Sequence, residues 1–249
     1  MTSDPLDQPV ISARDTVEYR RRRGLLADFE PPHIVAVCFS RGLVAHVPRR
    51  YRARRAAGLA GELWLLEGPA RAAVIGNFGV GAPAMGSVVE ELAALGARRF
   101  VIVGSAGGLQ PDLRPGGLVL ATRALRDEGL SRHYLPPAPD VAAEPAFVDA
   151  LGRALTARQL AYRSGITWTT DAPYREIRRD VLRHQQAGVL TVEMEAAALF
   201  AVGQALGLET AALLVVLDVL ADGRWHLDLD LRPVEQGLQA ALDAVVTLG

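Results

Sequence analysis

An α/β fold, a single domain with a mixed, mostly parallel central sheet flanked by helices, follows from two observations. Short apolar runs alternate with stretches of helical period along the chain, the pattern of parallel strands joined by crossover helices. Thr210 to Leu217 is almost wholly apolar, which suits a strand buried on both faces of such a sheet.

Residues 1 to about 30 read as a peripheral segment, with Arg20 to Arg23 as a solvated helix face. Pro31 and Pro32 end it, and the domain proper is expected over 31–249. Ile34 to Phe39 predicts a strand, followed by a basic stretch from Arg41 to Arg55. Ala72 to Ile75 predicts the next strand, then a glycine-rich turn from Gly76 to Gly81 and a helix from Pro83 to Leu95 closed by Gly96. Phe100 to Val103 is a third strand, running into a turn, Gly104 to Gly108; Leu118 to Ala124 is a fourth. A loop with three prolines spans Asp127 to Asp140, and Pro145 opens a helix to about Arg158. Ser164 to Trp168 reads as a strand, Tyr174 to Gln186 as a helix stopped by Gly188, and Val189 to Val192 as a short strand. Ala196, Leu199, Phe200, Gly203 and Leu206 recur at helical spacing up to Gly207. After the Thr210 strand, a last helix spans about Val234 to Val246.

Composition narrows the function classes. Of 249 residues half are hydrophobic, enough for a sizeable core, and the net charge of −1 gives no pull towards nucleic acid or an acidic membrane. The chain has no lysine, which removes Schiff-base and P-loop chemistry. One cysteine, Cys38, excludes an internal disulfide framework and a multi-cysteine zinc site. His33, His46, His133, His184 and His226 form no metal-ligand spacing. No apolar run reaches the ~20 residues of a membrane helix, and the polar start resembles no signal peptide. A cytoplasmic protein without metal or organic cofactor is expected.

The candidate chemistry sits at strand ends. Gly79-x-Gly81-x-x-Ala84 matches a dinucleotide fingerprint, but the next strand lacks the acidic residue that reading needs. Small residues at a helix start let backbone amides approach an anion or a sugar instead. Gly104 and Ser105 open a second glycine turn suited to an oxyanion, or a simple tight turn. Glu193 and Glu195 stand where a strand becomes a helix; one suits the vicinal hydroxyls of a sugar, while a helix N-terminus alone also favours negative charge. Asp218 ends the most apolar strand, where burial would raise its pKa and make it a proton donor; a turn or cap role is the bland alternative, and Asp222 competes for the same part.

Together these segments resemble the nucleoside phosphorylase / nucleosidase family, over roughly Ile75 to Asp222. The resemblance rests on Gly104-Ser105-Ala106-Gly107-Gly108-Leu109 with Arg114 to Gly117, on Glu128-Gly129-x-Ser131-x-His133, and on Thr170-Asp171-Ala172-Pro173-Tyr174. The most specific match is Val192-Glu193-Met194-Glu195-Ala196-Ala197, with Asp218 placed 23 residues beyond Glu195, as in purine-type members.

The resemblance implies that Glu195 grips the ribose hydroxyls, Met194 packs under the sugar, and Glu193 lies near ribose or base. Ser105 would hold phosphate or the attacking water, and Asp218 would protonate a departing purine at its imidazole nitrogen. Phosphorolysis is the expected reaction, with phosphate as co-substrate and no cofactor. A hydrolytic nucleosidase and a non-catalytic nucleoside-binding protein are the alternatives. Four departures bear on this. Ile102 stands where phosphorolytic members carry an arginine. The early G-D-P-x-R segment is replaced by Phe39-Ser40-Arg41-Gly42, leaving Arg41, Arg54 and Arg55 as phosphate candidates. The uracil-reading G-Q-x-R is absent after Tyr174. Pro173 replaces a stacking aromatic, for which Trp168 or Tyr174 would compensate. By the same analogy a homo-oligomer is expected, with His33, His46 or an arginine from Arg49 to Arg55 lent to a neighbour's site.

Overall fold

The computed structural model describes residues 9–248. The polar first eight residues lie outside them. Ten strands form one sheet: β1 (Ile34–Cys38), β2 (Ala53–Ala56), β3 (Glu62–Leu66), β4 (Ala72–Gly76), β5 (Arg99–Gly108), β6 (Leu118–Asp127), β7 (Asp140–Ala142), β8 (Tyr162–Thr170), β9 (Thr191–Glu193) and β10 (Glu209–Val219). The helices are α1 (Ala13–Arg22), α2 (Arg41–Arg50), α3 (Ala82–Ala94), α4 (Pro145–Ala157), α5 (Arg178–Gln186), α6 (Ala196–Leu206) and α7 (Arg232–Val245). No described helix is long and apolar enough to cross a membrane.

The strand order is β2-β3-β4-β1-β5, after which β5, β10, β6, β8 and β9 pair in a closed circuit. β1 with β4, β1 with β5, β5 with β10, β6 with β8 and β8 with β9 run parallel. The edge hairpins and the β6–β10 and β5–β9 contacts are antiparallel, a larger share than strict alternation suggests.

β5 organises the molecule. Its first half, Arg99 to Val103, pairs with β1; its last residues, Gly107 and Gly108, pair with β9 on that side. Between them, Gly104 to Ala106 have β10 on one edge and no named strand on the other. This partner change opens the crevice that α/β sheets use for ligands. The expected turn at Gly104–Gly108 is therefore a strand. The glycines answer close approach rather than chain reversal: a Cβ on Gly107 would lie 2.8 Å from Leu220, 3.0 Å from Val192 and 3.2 Å from Asp218 Oδ1.

Local sequence explains the helices. α6 is buried at every position from Ala196 to Gly203, as expected of a helix apolar all round. Gly207 caps it in the left-handed region, at φ 65°. At Gly203 a side chain would meet Thr210 at 2.5 Å, so the glycine sets how closely α6 lies on β10. The peripheral N-terminal segment contains α1, opened by a capping box between Ser12 and Asp15 and held on α3 by Arg20–Glu91 at 2.6 Å. The basic stretch resolves into α2 and edge strand β2, and β3 was not foreseen because Glu62 to Leu66 follows no clear alternation. α5 begins at Arg178, not Tyr174, because Pro173 to Arg175 form a separate 3-10 turn.

Candidate active site

Strand-end residues from β5, β9 and β10 meet in one cavity of about 560 Å³. Ser105, Ala106 and Gly107 form its floor, Val192 to Met194 one wall, and Leu217, Asp218 and Leu220 another; Pro173, Tyr174, Glu176 and Trp225 complete the lining. The register explains the convergence, since Gly107 is opposite both Val192 and Asp218. The β10–β5 register slips between Val216 and Asp218. Such a bulge re-aims the side chain that follows it.

Asp218 is partly buried, and its carboxyl is pushed above the usual carboxylate range by desolvation. The Trp225 indole N–H donates to Asp218 Oδ2 at 2.6 Å, which works in the opposite direction. Ser105 is exposed to the cavity, on the unpaired stretch of β5. Met194 lines it as well, with its methyl group near Gly81.

The two glutamates part company. Glu193 is buried and both its oxygens are occupied: Oε1 accepts from Thr169 at 2.6 Å and Thr167 at 3.4 Å, Oε2 from the backbone N–H of Glu195 at 2.7 Å and of Ala196 at 2.6 Å. Expected near the ribose or base, it lines the cavity and also holds the first amides of α6, the helix-terminus role that negative charge favours. Burial raises its pKa, against those four donors. Glu195 Oε1 accepts from the Gly81 N–H at 2.5 Å, at the start of α3. The anion that the Gly79–Gly81 segment approaches is thus a carboxylate of the chain itself. Its Oε2 has only a long 3.3 Å bond from the Met194 N–H. Burial, then the neighbouring Glu193, push Glu195 up to about 7.

Several expected site residues lie elsewhere. Trp168 is 3% exposed, packed with Leu109, Val181, Val189 and Val192 against the His184 ring, its indole N–H donating to Asp127 at 3.0 Å. It is a core residue because Trp168 points to the covered face of β8, so only Tyr174, 99% exposed at the cavity rim, is placed to meet a ligand. Gly104 is buried, with Phe39 and Ile102 above it, and does not line the cavity. Arg54 and Arg55 are exposed on edge strand β2, on the far side of β3, β4 and β1 from β5. Arg41 lines a neighbouring cavity of about 410 Å³ with Phe39, Asn77, Gly79 and Val80. Among the described residues, those lining the Ser105–Asp218 cavity include no arginine.

The sequence reading missed Glu176 and Trp225. Glu176 lies two residues past Tyr174, where the missing uracil reader had marked the segment as base-facing. Trp225 carried no signal, because only folding of the chain after Asp218 returns it to the cavity; Val219 pairs there with His226.

Comparison with known proteins identifies the family. The family model described as the phosphorylase superfamily matches residues 33–247. The chain is 31% identical over 184 residues to uridine phosphorylase of Treponema pallidum, covering 69% of this chain and 71% of that protein. It is 34% identical over 144 residues to guanosine phosphorylase of Halorubrum lacusprofundi, covering 56% and 58%. The crystal structure of uridine phosphorylase from Vibrio fischeri superposes with a TM-score of 0.76 at 27% identity, over 86% of this chain and 90% of that one. The family match spans nearly the whole described chain, and the chain belongs to the phosphorylase superfamily, among the nucleoside phosphorylases.

Proposed function

We propose that this protein cleaves the N-glycosidic bond of a purine nucleoside by phosphorolysis, releasing the base and ribose 1-phosphate. The observation that carries the reading is the shared cavity of Ser105, Met194 and Asp218. Breaking the bond builds positive charge on the sugar and negative charge on the base, as in glycoside hydrolysis. Asp218, whose carboxyl burial pushes above the usual carboxylate range, delivers a proton to the base so that it leaves neutral. Met194 packs under the sugar, and the free valences of Glu195 Oε2 take its hydroxyls. Ser105 holds the nucleophile, with Arg41, which lines a separate cavity, as the phosphate cation. Uridine phosphorylases dominate the relatives, but Tyr174-Arg175-Glu176-Ile177 carries no uracil-reading glutamine and arginine, and an acid at the base suits an imidazole nitrogen. The protein works as a cytoplasmic homo-oligomer in this reading.

The absence of arginine among the described lining residues favours one second reading, hydrolysis by water held at Ser105. Assays of inosine, adenosine, guanosine and uridine with and without phosphate separate the two. Phosphate-dependent release of a purine supports phosphorolysis; release at equal rate without phosphate establishes the hydrolase; turnover of uridine alone overturns the purine assignment.

A further inference from the structure

Core packing does not account for the place of Trp225. Its side chain is 65% exposed, and among the described residues it joins no core cluster. The chain nevertheless fixes it. Beyond β10, Asp222 and Gly223 lie in succession in the left-handed region, at φ 53° and 66°, and turn the chain back. A side chain on Gly223 would meet Arg178 of α5 at 2.7 Å, so the turn sits close against that helix. Val219 and His226 then exchange backbone hydrogen bonds of 2.9 and 2.8 Å. The loop so closed returns Trp225 to Asp218, seven residues earlier, where the indole N–H donates to Oδ2 at 2.6 Å. The ring borders the Ser105–Asp218 cavity and also a groove of about 840 Å³ shared with Arg114, Leu227 and Leu229.

Building on the reading of Asp218 as the acid that protonates a departing purine, we infer that Trp225 is a positioning residue for that acid: its indole N–H occupies Oδ2 and leaves Oδ1 to carry the proton to the base. An indole nitrogen donates and does not accept. A neutral Asp218 therefore sets its carbonyl oxygen against the indole and its O–H at the other oxygen. Among the described residues no other residue hydrogen-bonds this carboxyl. Oδ1 lies 3.2 Å from where a Cβ on Gly107 would begin, and Gly107 is part of the cavity floor.

In the step itself the Oδ1–H bond breaks as an N–H bond forms at the imidazole nitrogen. The electron pair of the glycosidic bond passes into the base, which leaves neutral, and Asp218 is left as a carboxylate. The indole hydrogen bond then becomes charge-assisted and strengthens, so Trp225 stabilises charge that develops only during the transfer. This part is the same whether phosphate or water attacks the sugar.

The test uses substrates that need no acid. A purine nucleoside methylated at the imidazole nitrogen carries its positive charge before the bond breaks, and its base leaves neutral without a proton. Kinetics at saturating phosphate are measured for adenosine, inosine and guanosine, each beside its 7-methyl form, and corrected for the folded fraction of each protein. Trp225→Phe keeps an aromatic ring between cavity and groove but removes the donor. It should lower kcat for the unmethylated substrates about 10–100-fold, the loss of a hydrogen bond to a charged group, with KM little changed. The 7-methyl substrates should be turned over nearly as by the native protein. Trp225→His places a ring N–H where the indole N–H stood, and at about pH 8, where imidazole is neutral, it should recover much of the lost kcat. Asp218→Asn should show the same dependence on substrate with a loss of about 10²–10⁴-fold. If Asp218→Asn behaves so, while Trp225→Phe loses both kinds of substrate alike or neither, the positioning role is overturned and the acid stands. If Asp218→Asn keeps full turnover, loses both kinds alike, or no purine nucleoside is cleaved, the functional reading fails and the role of Trp225 with it.

Discussion

Gly107 and Asp218 face each other across the β5–β10 pairing, and Asp218 Oδ1 lies 3.2 Å from where a side chain on Gly107 would begin. The same glycine is opposite Val192, so one backbone position without a side chain brings the Glu193–Glu195 segment and the acid together. Gly107→Ala should cost about 1–3 kcal/mol in stability by overpacking against Leu220 and Val192. It should lower kcat/KM further than the stability loss explains, because Asp218 must move; thermal melts beside kinetics at low temperature separate the two effects.

Asp218→Asn keeps the shape and the Trp225 contact but removes the proton. Turnover of purine nucleoside should fall about 10²–10⁴-fold. Nucleoside affinity, measured by calorimetry, should change little. A full loss of binding would assign Asp218 to recognition rather than acid catalysis.

Glu195 allows a pH prediction with a definite sign. A carboxyl raised from 4.5 to about 7 binds its proton more tightly in the folded chain than in the unfolded one. Its protonated form contributes stability fully below about pH 4.5, and that contribution is lost as the pH rises through about 7. Glu195→Gln still accepts from Gly81 without ionising. Its melting temperature should therefore decline less than that of the native protein between about pH 5 and about pH 8.

The arginines separate by position. Arg41→Ala should raise the KM for phosphate about tenfold or more, as the loss of a charged hydrogen bond does, with kcat for a saturating nucleoside less affected. Arg54→Ala and Arg55→Ala should leave the kinetics of a single protomer's site unchanged. An effect of either on phosphate KM that vanishes on dilution to monomers would show that the edge strand serves a neighbour's cavity.

Trp168→Phe removes the indole bond to Asp127 but keeps most of the packing. It should destabilise by about 0.5–1.5 kcal/mol with unchanged KM, whereas Tyr174→Ala at the rim should raise the nucleoside KM and leave the melting temperature unchanged.

Which parts were legible follows from range. The Val192–Ala197 junction was readable because strand, carboxylates and helix are adjacent in the chain. The local chemistry of a helix start accounts for the hydrogen bonds from the Glu195 and Ala196 amides to Glu193. Gly104 to Gly108 is a strand although glycine signals a turn to its sequence neighbours, and the cause at Gly107 is crowding by Leu220, Val192 and Asp218, all distant in sequence. Trp168 is offered by the sequence, beside Tyr174, as a substitute for the stacking aromatic that Pro173 replaces, but its burial depends on which face of β8 the helix α5 covers.

The sequence by itself determined the alternation of strands and helices, the apolar β10 with an acid at its end, and the paired glutamates at the start of α6, because each is written in residues within a turn or two of one another. Tertiary structure decided that Glu195 binds Gly81, that Trp225 and Glu176 share a cavity with Asp218, and that Arg54 and Arg55 stand apart from it. Those outcomes depend on strand order, and on β5 changing partners from β1 to β9, a choice made by long-range packing that local pattern does not encode.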